Sequence, residues 1–129
     1  MAKARRVNPA GVHTPQANYS HVARVGDTLY ISGQLPLDLD GNLVGLGDPE
    51  AQAEQCYRNI QHIVEYFGGS LDDIVKINQF VTDISHRPLL ARPRDRLLGT
   101  PGPASTLVAV TALAVPEAVI EIEAIAVLE

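Results

Sequence analysis

Residues 119–128 read Val119-Ile-Glu-Ile-Glu-Ala-Ile-Ala-Val-Leu128. Apolar and charged side chains alternate from Ile120 to Ala124, and half of the run is β-branched. Alternation with a period of two marks a strand with one face buried. Ile120, Ile122 and Ala124 then share one face, and Glu121 and Glu123 share the other. A strand of this kind has to pair with others from earlier in the chain, so the question becomes how many there are and what covers them.

Working backward, Ser105 to Val115 reads as another strand, joined to the last one around Pro116-Glu117. Gly99-Thr-Pro-Gly-Pro103 closes the segment before it. A helix is expected within Leu89–Leu98, limited by Pro88 and Pro93. Ile74 to Ile84 is rich in β-branched residues and reads as a strand. Ser70-Leu-Asp-Asp73 looks like one short helical turn.

The strongest helix signal lies upstream. Asp48-Pro49-Glu50 supplies an N-cap, a proline at the first helical position and an acidic first turn. Ala53, Cys56, Tyr57, Ile60, Ile63, Val64 and Phe67 then fall on one stripe of a 3.6-residue helix. Gly68-Gly69 ends it. His21 to Val25 and Thr28 to Ser32 form a hairpin about Gly26-Asp27, and Ser32-Gly33-Gln34 is expected to break the second strand. Residues 1–17 are expected to be an irregular arm.

The order ββ-α-β-α-ββ implies an α+β fold, one sheet with two helices on a single face, in a single domain. The chain has 129 residues, of which 46% are hydrophobic. A domain this small leaves apolar surface uncovered, and another copy of the chain is the expected cover for the open sheet face. The net charge of −5 gives no support for nucleic-acid binding. A single cysteine excludes an intrachain disulfide and a thiolate zinc cage, and points to a cytoplasmic setting. The basic start lacks an apolar segment of the secretory kind, and no run is long enough to span a membrane.

Few residues suggest chemistry by spacing alone. Glu121 and Glu123 are either a solvated pair or a cleft carboxylate working with water. His13, His21, His62 and His86 form no metal-ligand pair, so no metal site is expected. His21 is either a cleft-lining residue or a plain strand end. Cys56 lies on the apolar stripe and reads as a buried structural thiol. Gly45-Leu-Gly47 lacks the strand–turn–helix context of a phosphate cradle. Arg87, Arg92, Arg94 and Arg96 form either a solvated face or an anion-binding surface.

Several segments together resemble the RidA family, also called YjgF or L-PSP endoribonuclease-like. They include Asn18-Tyr-Ser-His-Val-Ala-Arg-Val-Gly26, Leu29-Tyr-Ile-Ser-Gly-Gln-Leu-Pro-Leu-Asp38, Leu71-Asp-Asp-Ile-Val-Lys76, Pro103-Ala-Ser-Thr106 and Ile120-Glu-Ile-Glu-Ala-Ile-Ala-Val127. The resemblance spans about residues 17–127. It implies a chorismate-mutase-like fold, a homotrimer and ligand clefts between neighbouring copies. It also implies hydrolysis of small imines or enamines to 2-oxo acids and ammonia, without a cofactor.

Carried across position by position, Tyr19, Ser32 and Gly33 line the cleft and Glu121 positions water or a substrate amine. The Ser32 hydroxyl and backbone amides are expected to meet developing charge. Ser105 stands where the resemblance places a carboxylate-clamping arginine, with Thr106 beside it. Two alternatives follow. Another arginine, Arg92 or Arg96, reaches the cleft, or the ligand lacks an α-carboxylate. A trimer that binds a small metabolite without turning it over is the alternative to the enzyme.

Overall fold

The computed structural model describes residues 3–129; Met1 and Ala2 lie outside it. Six strands and two helices follow in the order β1 (Arg5–Val7), β2 (Val22–Val25), β3 (Thr28–Gln34), α1 (Pro49–Tyr66), β4 (Ile74–Val81), α2 (Arg87–Leu98), β5 (Ala104–Ala109) and β6 (Ile120–Val127). Short 3₁₀ turns at Leu71–Asp73 and Ile84–His86 precede β4 and α2. The strands form one sheet in the order β1-β2-β3-β6-β4-β5. Every pairing is antiparallel except β4 with β5, whose parallel run needs the α2 crossover between them.

The last strand behaves as its alternation predicts. Ile120, Ile122, Ala124 and Ala126 are buried, while Glu121, Glu123 and Ile125 are half-buried on the opposite face. β6 lies between β3 and β4, so its buried side chains meet α1 at the centre of the sheet. Asp48 caps α1 by accepting from the Ala51 amide at 3.1 Å. Ala53, Cys56, Tyr57, Ile60, Ile63 and Val64 are buried in the core, with Phe67 packed at its margin.

Two buried amides on α1 hold the loops that flank the sheet. Gln52 donates to the carbonyls of Gly45 and Glu117 and accepts from the Val119 amide at 2.8 Å. Asn59 donates to the carbonyls of Leu35 and Leu37. Each satisfies loop backbone that would otherwise be buried without a partner.

Five expectations change, the first being that β4 ends at Val81, with Ile84 opening a 3₁₀ turn instead of closing the strand. The N-terminal arm is not wholly irregular, because Arg5–Val7 pairs with Val22–Arg24 and adds an edge strand. β3 does not stop at Ser32 but runs to Gln34 through an irregularity. α2 begins at Arg87 and carries Pro93 inside it, buried against the core. The loss of one backbone bond at Pro93 is offset by that packing. β5 ends at Ala109; the apolar residues after it do not extend the strand. Leu113, Val115 and Ala118 pack instead against Leu35 and Leu37 as a second small cluster. An apolar run can fill a core from a loop as well as from a strand, and composition does not separate the two.

Candidate active site

The irregularity in β3 sits at the motif singled out in the sequence. Ile31 pairs with Ala124, and Gln34 pairs with Ile122. Two residues, Ser32 and Gly33, therefore oppose the single Glu123, which is the arrangement of a β-bulge. A bulge re-aims the side chains around it. Here it brings Gly33 against the carboxylate of Glu121: a Cβ built on Gly33 falls 2.7 Å from Glu121 Oε2. Only a residue without a side chain leaves that carboxylate where it is.

Glu121 lies on the open face of the sheet, opposite Phe80 of β4. Burial pushes its carboxyl above the usual range, and the charge of Glu123 pushes it the same way. Glu123 is stabilised separately, since Asn78 Nδ2 donates to its Oε1 at 2.9 Å. The two carboxylates thus differ in environment, and Glu121 is the one whose charged form burial disfavours.

Tyr19 and Ser32 flank a cavity of ≈ 700 Å³ that also takes in Arg6, Asn8, Asn18 and Glu123. The Ser32 hydroxyl donates to the Ser20 carbonyl at 2.7 Å. Its proton is thereby committed, so Ser32 offers the cavity a lone pair and not the donor expected for developing charge. His21 is buried and lines no part of this cavity. Its Nε2–H donates to the His13 carbonyl at 2.6 Å, and its Nδ1 accepts from the Gln34 amide at 3.1 Å. It holds the arm down beneath the site. Cys56 is also buried, and burial pushes its thiol well up, as befits a structural residue.

Thr106 and Ser105 do not join this group within one chain. Thr106 faces the open side, where Lys76 Nζ donates to its hydroxyl at 3.0 Å. Ser105 faces the helices; its neighbour in register is the buried Ile77, and the Gln79 amide donates to its Oγ at 3.1 Å. The sheet separates Ser105 from Glu121, and β6 and β4 lie between β3 and β5. Arg92 and Arg96, one or other of which was the alternative source of a cleft arginine, pair with Glu50 and Glu54 on α1. Lys76 and Asn78 were missed in the sequence, although the alternation through Lys76-Ile-Asn-Gln-Phe80 puts both on the face of Glu123.

A family model described as Endoribonuclease L-PSP matches residues 11–128. The chain belongs to that family. Its RidA-type relatives include a 2-iminobutanoate/2-iminopropanoate deaminase from Dermatophagoides farinae, 30% identical over the full length of both chains. The 3-aminoacrylate deaminase RutC of Acinetobacter baylyi is 33% identical over 118 residues, covering 92% of this chain and 93% of that one. Among solved structures, RidA from the Antarctic bacterium Psychrobacter sp. superposes with a TM-score of 0.89 at 38% identity, covering 96% of this chain and 99% of the other. The RidA-like α+β sheet with two helices is therefore this chain's fold. Among the described residues, no group of three or more His, Cys, Asp or Glu side chains could hold a metal ion. No helix among them is long and apolar enough to cross a membrane.

Proposed function

We propose that this chain hydrolyses the C=N bond of a small imine, or of the imine tautomer of an enamine, releasing a carbonyl product and ammonia in clefts between copies of a cytoplasmic homotrimer. The observation that carries this reading is Glu121: a carboxyl raised by burial and seated against a glycine at a bulge, on the same face of β6 as Glu123, which lines the Tyr19–Ser32 cavity while Glu121 itself does not. The names of the two deaminase relatives support it.

The chemistry needs little else. Glu121 takes a proton from water as the oxygen adds to the imine carbon. Glu121 returns that proton to the nitrogen and then relays the carbinolamine hydroxyl proton to it, so that the C–N bond breaks with ammonia leaving as the carbonyl forms. A carboxyl raised toward neutrality serves both proton transfers. Tyr19 offers a phenol at the cavity wall, and Ser32 a lone pair for the substrate's N–H. No electron changes hands, so the reaction calls for no redox cofactor.

The test is ammonia release from 2-iminopropanoate and from 3-aminoacrylate, each generated in situ. Wild type should accelerate at least one of them over buffer. Glu121→Gln should lower the rate by about 100-fold or more. Ligand binding without acceleration would instead make the protein a metabolite-binding trimer.

A further inference from the structure

Gly33 meets the Glu121 carboxylate only while the bulge in β3 keeps its shape. Between the Ile31 and Gln34 pairings with β6, Ser32 and Gly33 have no partner in register. A bulge interrupts the ladder, so the polar groups around it need other partners. The Ser32 amide donates to the His21 carbonyl at 2.9 Å. The Ser32 carbonyl accepts from the side chain of Gln34, whose Nε2 donates to it at 3.0 Å. Gln34 thus clamps the bulge from within its own strand.

The clamp is itself fixed. Gln34 is fully buried, and its Nε2 also donates to His21 Nδ1 at 3.1 Å. His21 is anchored in turn by the His13 carbonyl. Turning the Gln34 amide over would set its oxygen against the Ser32 carbonyl, acceptor against acceptor. The observed orientation is kept although it leaves Gln34 Oε1 buried with no hydrogen-bond partner. An unpartnered buried acceptor is a cost to the fold. The buried neighbours of Gln34 on this face, Leu29 and Ile31 of β3 and its cross-strand partner Ile122, are all apolar. Packing alone would call for another apolar side chain there. The amide is explained by what its donors hold.

We propose that Gln34 is a positioning residue, whose amide clamps the Ser32 carbonyl, seats Gly33 against Glu121 and so fixes the carboxylate where it exchanges protons. Gln34 itself touches no substrate. The chemical role of Glu121 rests on the hydrolase reading; the clamp does not. Without the clamp the bulge relaxes, Gly33 draws back, and the Glu121 carboxylate gains room and water. The charge of Glu121 is felt by Glu123 on its own strand and by the Cys56 thiol on α1, and neither belongs to the clamp.

The assembled protein is compared as wild type, Gln34→Met, Gln34→Asn and Asn59→Leu. Gln34→Met keeps the length of the side chain without its donors. Gln34→Asn keeps an amide but falls one methylene short of its partners, and carries the test if Gln34→Met does not fold. Asn59→Leu removes another buried amide, which holds the Leu35 and Leu37 carbonyls, and controls for lost stability. Titration of the Glu121 carboxyl is followed by carbon-13 NMR, and hydrolysis of 2-iminopropanoate and 3-aminoacrylate by ammonia release. The Gln34 variants should bring the Glu121 titration down toward the ordinary glutamate range. They should lower kcat about tenfold or more, with KM within about threefold of wild type. Asn59→Leu should melt lower and leave the titration where it is in wild type. A Glu121 titration that the Gln34 variants leave unchanged overturns the proposal. So does an equal change in Asn59→Leu, or a kcat that holds while the titration falls. A titration that falls in the Gln34 variants of a protein whose wild type hydrolyses no imine leaves the clamp standing and overturns the hydrolase reading.

Discussion

Gly33 and Glu121 constrain each other at the scale of single atoms. The glycine's φ is not in the left-handed region, so alanine strains no backbone there; the obstacle is the carboxylate 2.7 Å from the added Cβ. The Glu121 side chain can swing away at small cost to the fold. Gly33→Ala should therefore keep the melting temperature within a few degrees while lowering the rate of imine hydrolysis about tenfold or more, through misplacement of the proton-transfer group. Circular dichroism melts and ammonia release read the two effects. The raised Glu121 carboxyl has a stability sign as well. A folded-state pKa above the unfolded one contributes stability that is fully present below the unfolded value and is lost as pH rises through the folded value. Ionised Glu121 is thus a cost to the fold at neutral pH. The Glu121→Gln variant should melt higher than wild type at pH 7, with the advantage shrinking on acidification. Alternation in the last ten residues revealed that Glu121 and Glu123 share a face, but not which one is desolvated. That depends on Gly33 and Asn78, which come from other strands.

At the level of elements, the arm before β2 is tied to the sheet through one buried imidazole. The His21 backbone amide donates to Asn8 Oδ1 at 2.8 Å, and its ring joins the His13 carbonyl to the Gln34 amide. The titratable side chains facing it are His13 and Tyr19, both stacked edge-on. The neutral tautomer donates at Nε2 and accepts at Nδ1, so protonation sets a second donor against the Gln34 amide. Burial lowers the His21 pKa below its ordinary 6.5. The stability this contributes is complete above the unfolded value and is lost as pH falls through the folded one. NMR between about pH 7.5 and pH 5 should show the Asn8–His13 resonances losing their folded positions with the His21 titration, while α1 stays fixed. Arm resonances that stay put as His21 titrates would rule this out. None of the network was legible in the sequence, because it joins residues 8, 13, 21 and 34 through pairings that the arm's Pro9, Gly11 and Pro15 conceal. The elements with strong local signals were legible. Asp48-Pro49 and Gly68-Gly69 bound α1 as expected, whereas the apolar run after Ala109 carried no local cue that it leaves the sheet to fill a loop cluster.

For the whole molecule, the sheet itself poses the problem that assembly has to solve. Glu121 and Gly33 lie on its open face, and Arg94 and Ser105 on the helix side at the far edge. Within one chain, Tyr19 and Ser32 line a cavity that Glu121 does not reach. The open face also exposes Tyr30, Val108 and Val127, apolar side chains whose burial against another copy would stabilise an assembly. The proposed clefts between copies would bring Glu121 of one copy to the Tyr19 cavity of the next. Mixed assemblies test this directly. Glu121→Gln lacks the proposed proton-transfer group and Tyr19→Ala lacks the phenol at the cavity wall, so each alone should be poorly active at substrate well below KM. If a cleft takes Glu121 from one copy and Tyr19 from its neighbour, unfolding the two variants together and refolding them at equal ratio leaves about a quarter of the clefts intact at both positions. Ammonia release should then recover to about a quarter of the wild-type rate. A site contained within one chain gives only the average of the two variants, because each chain still carries its own defect.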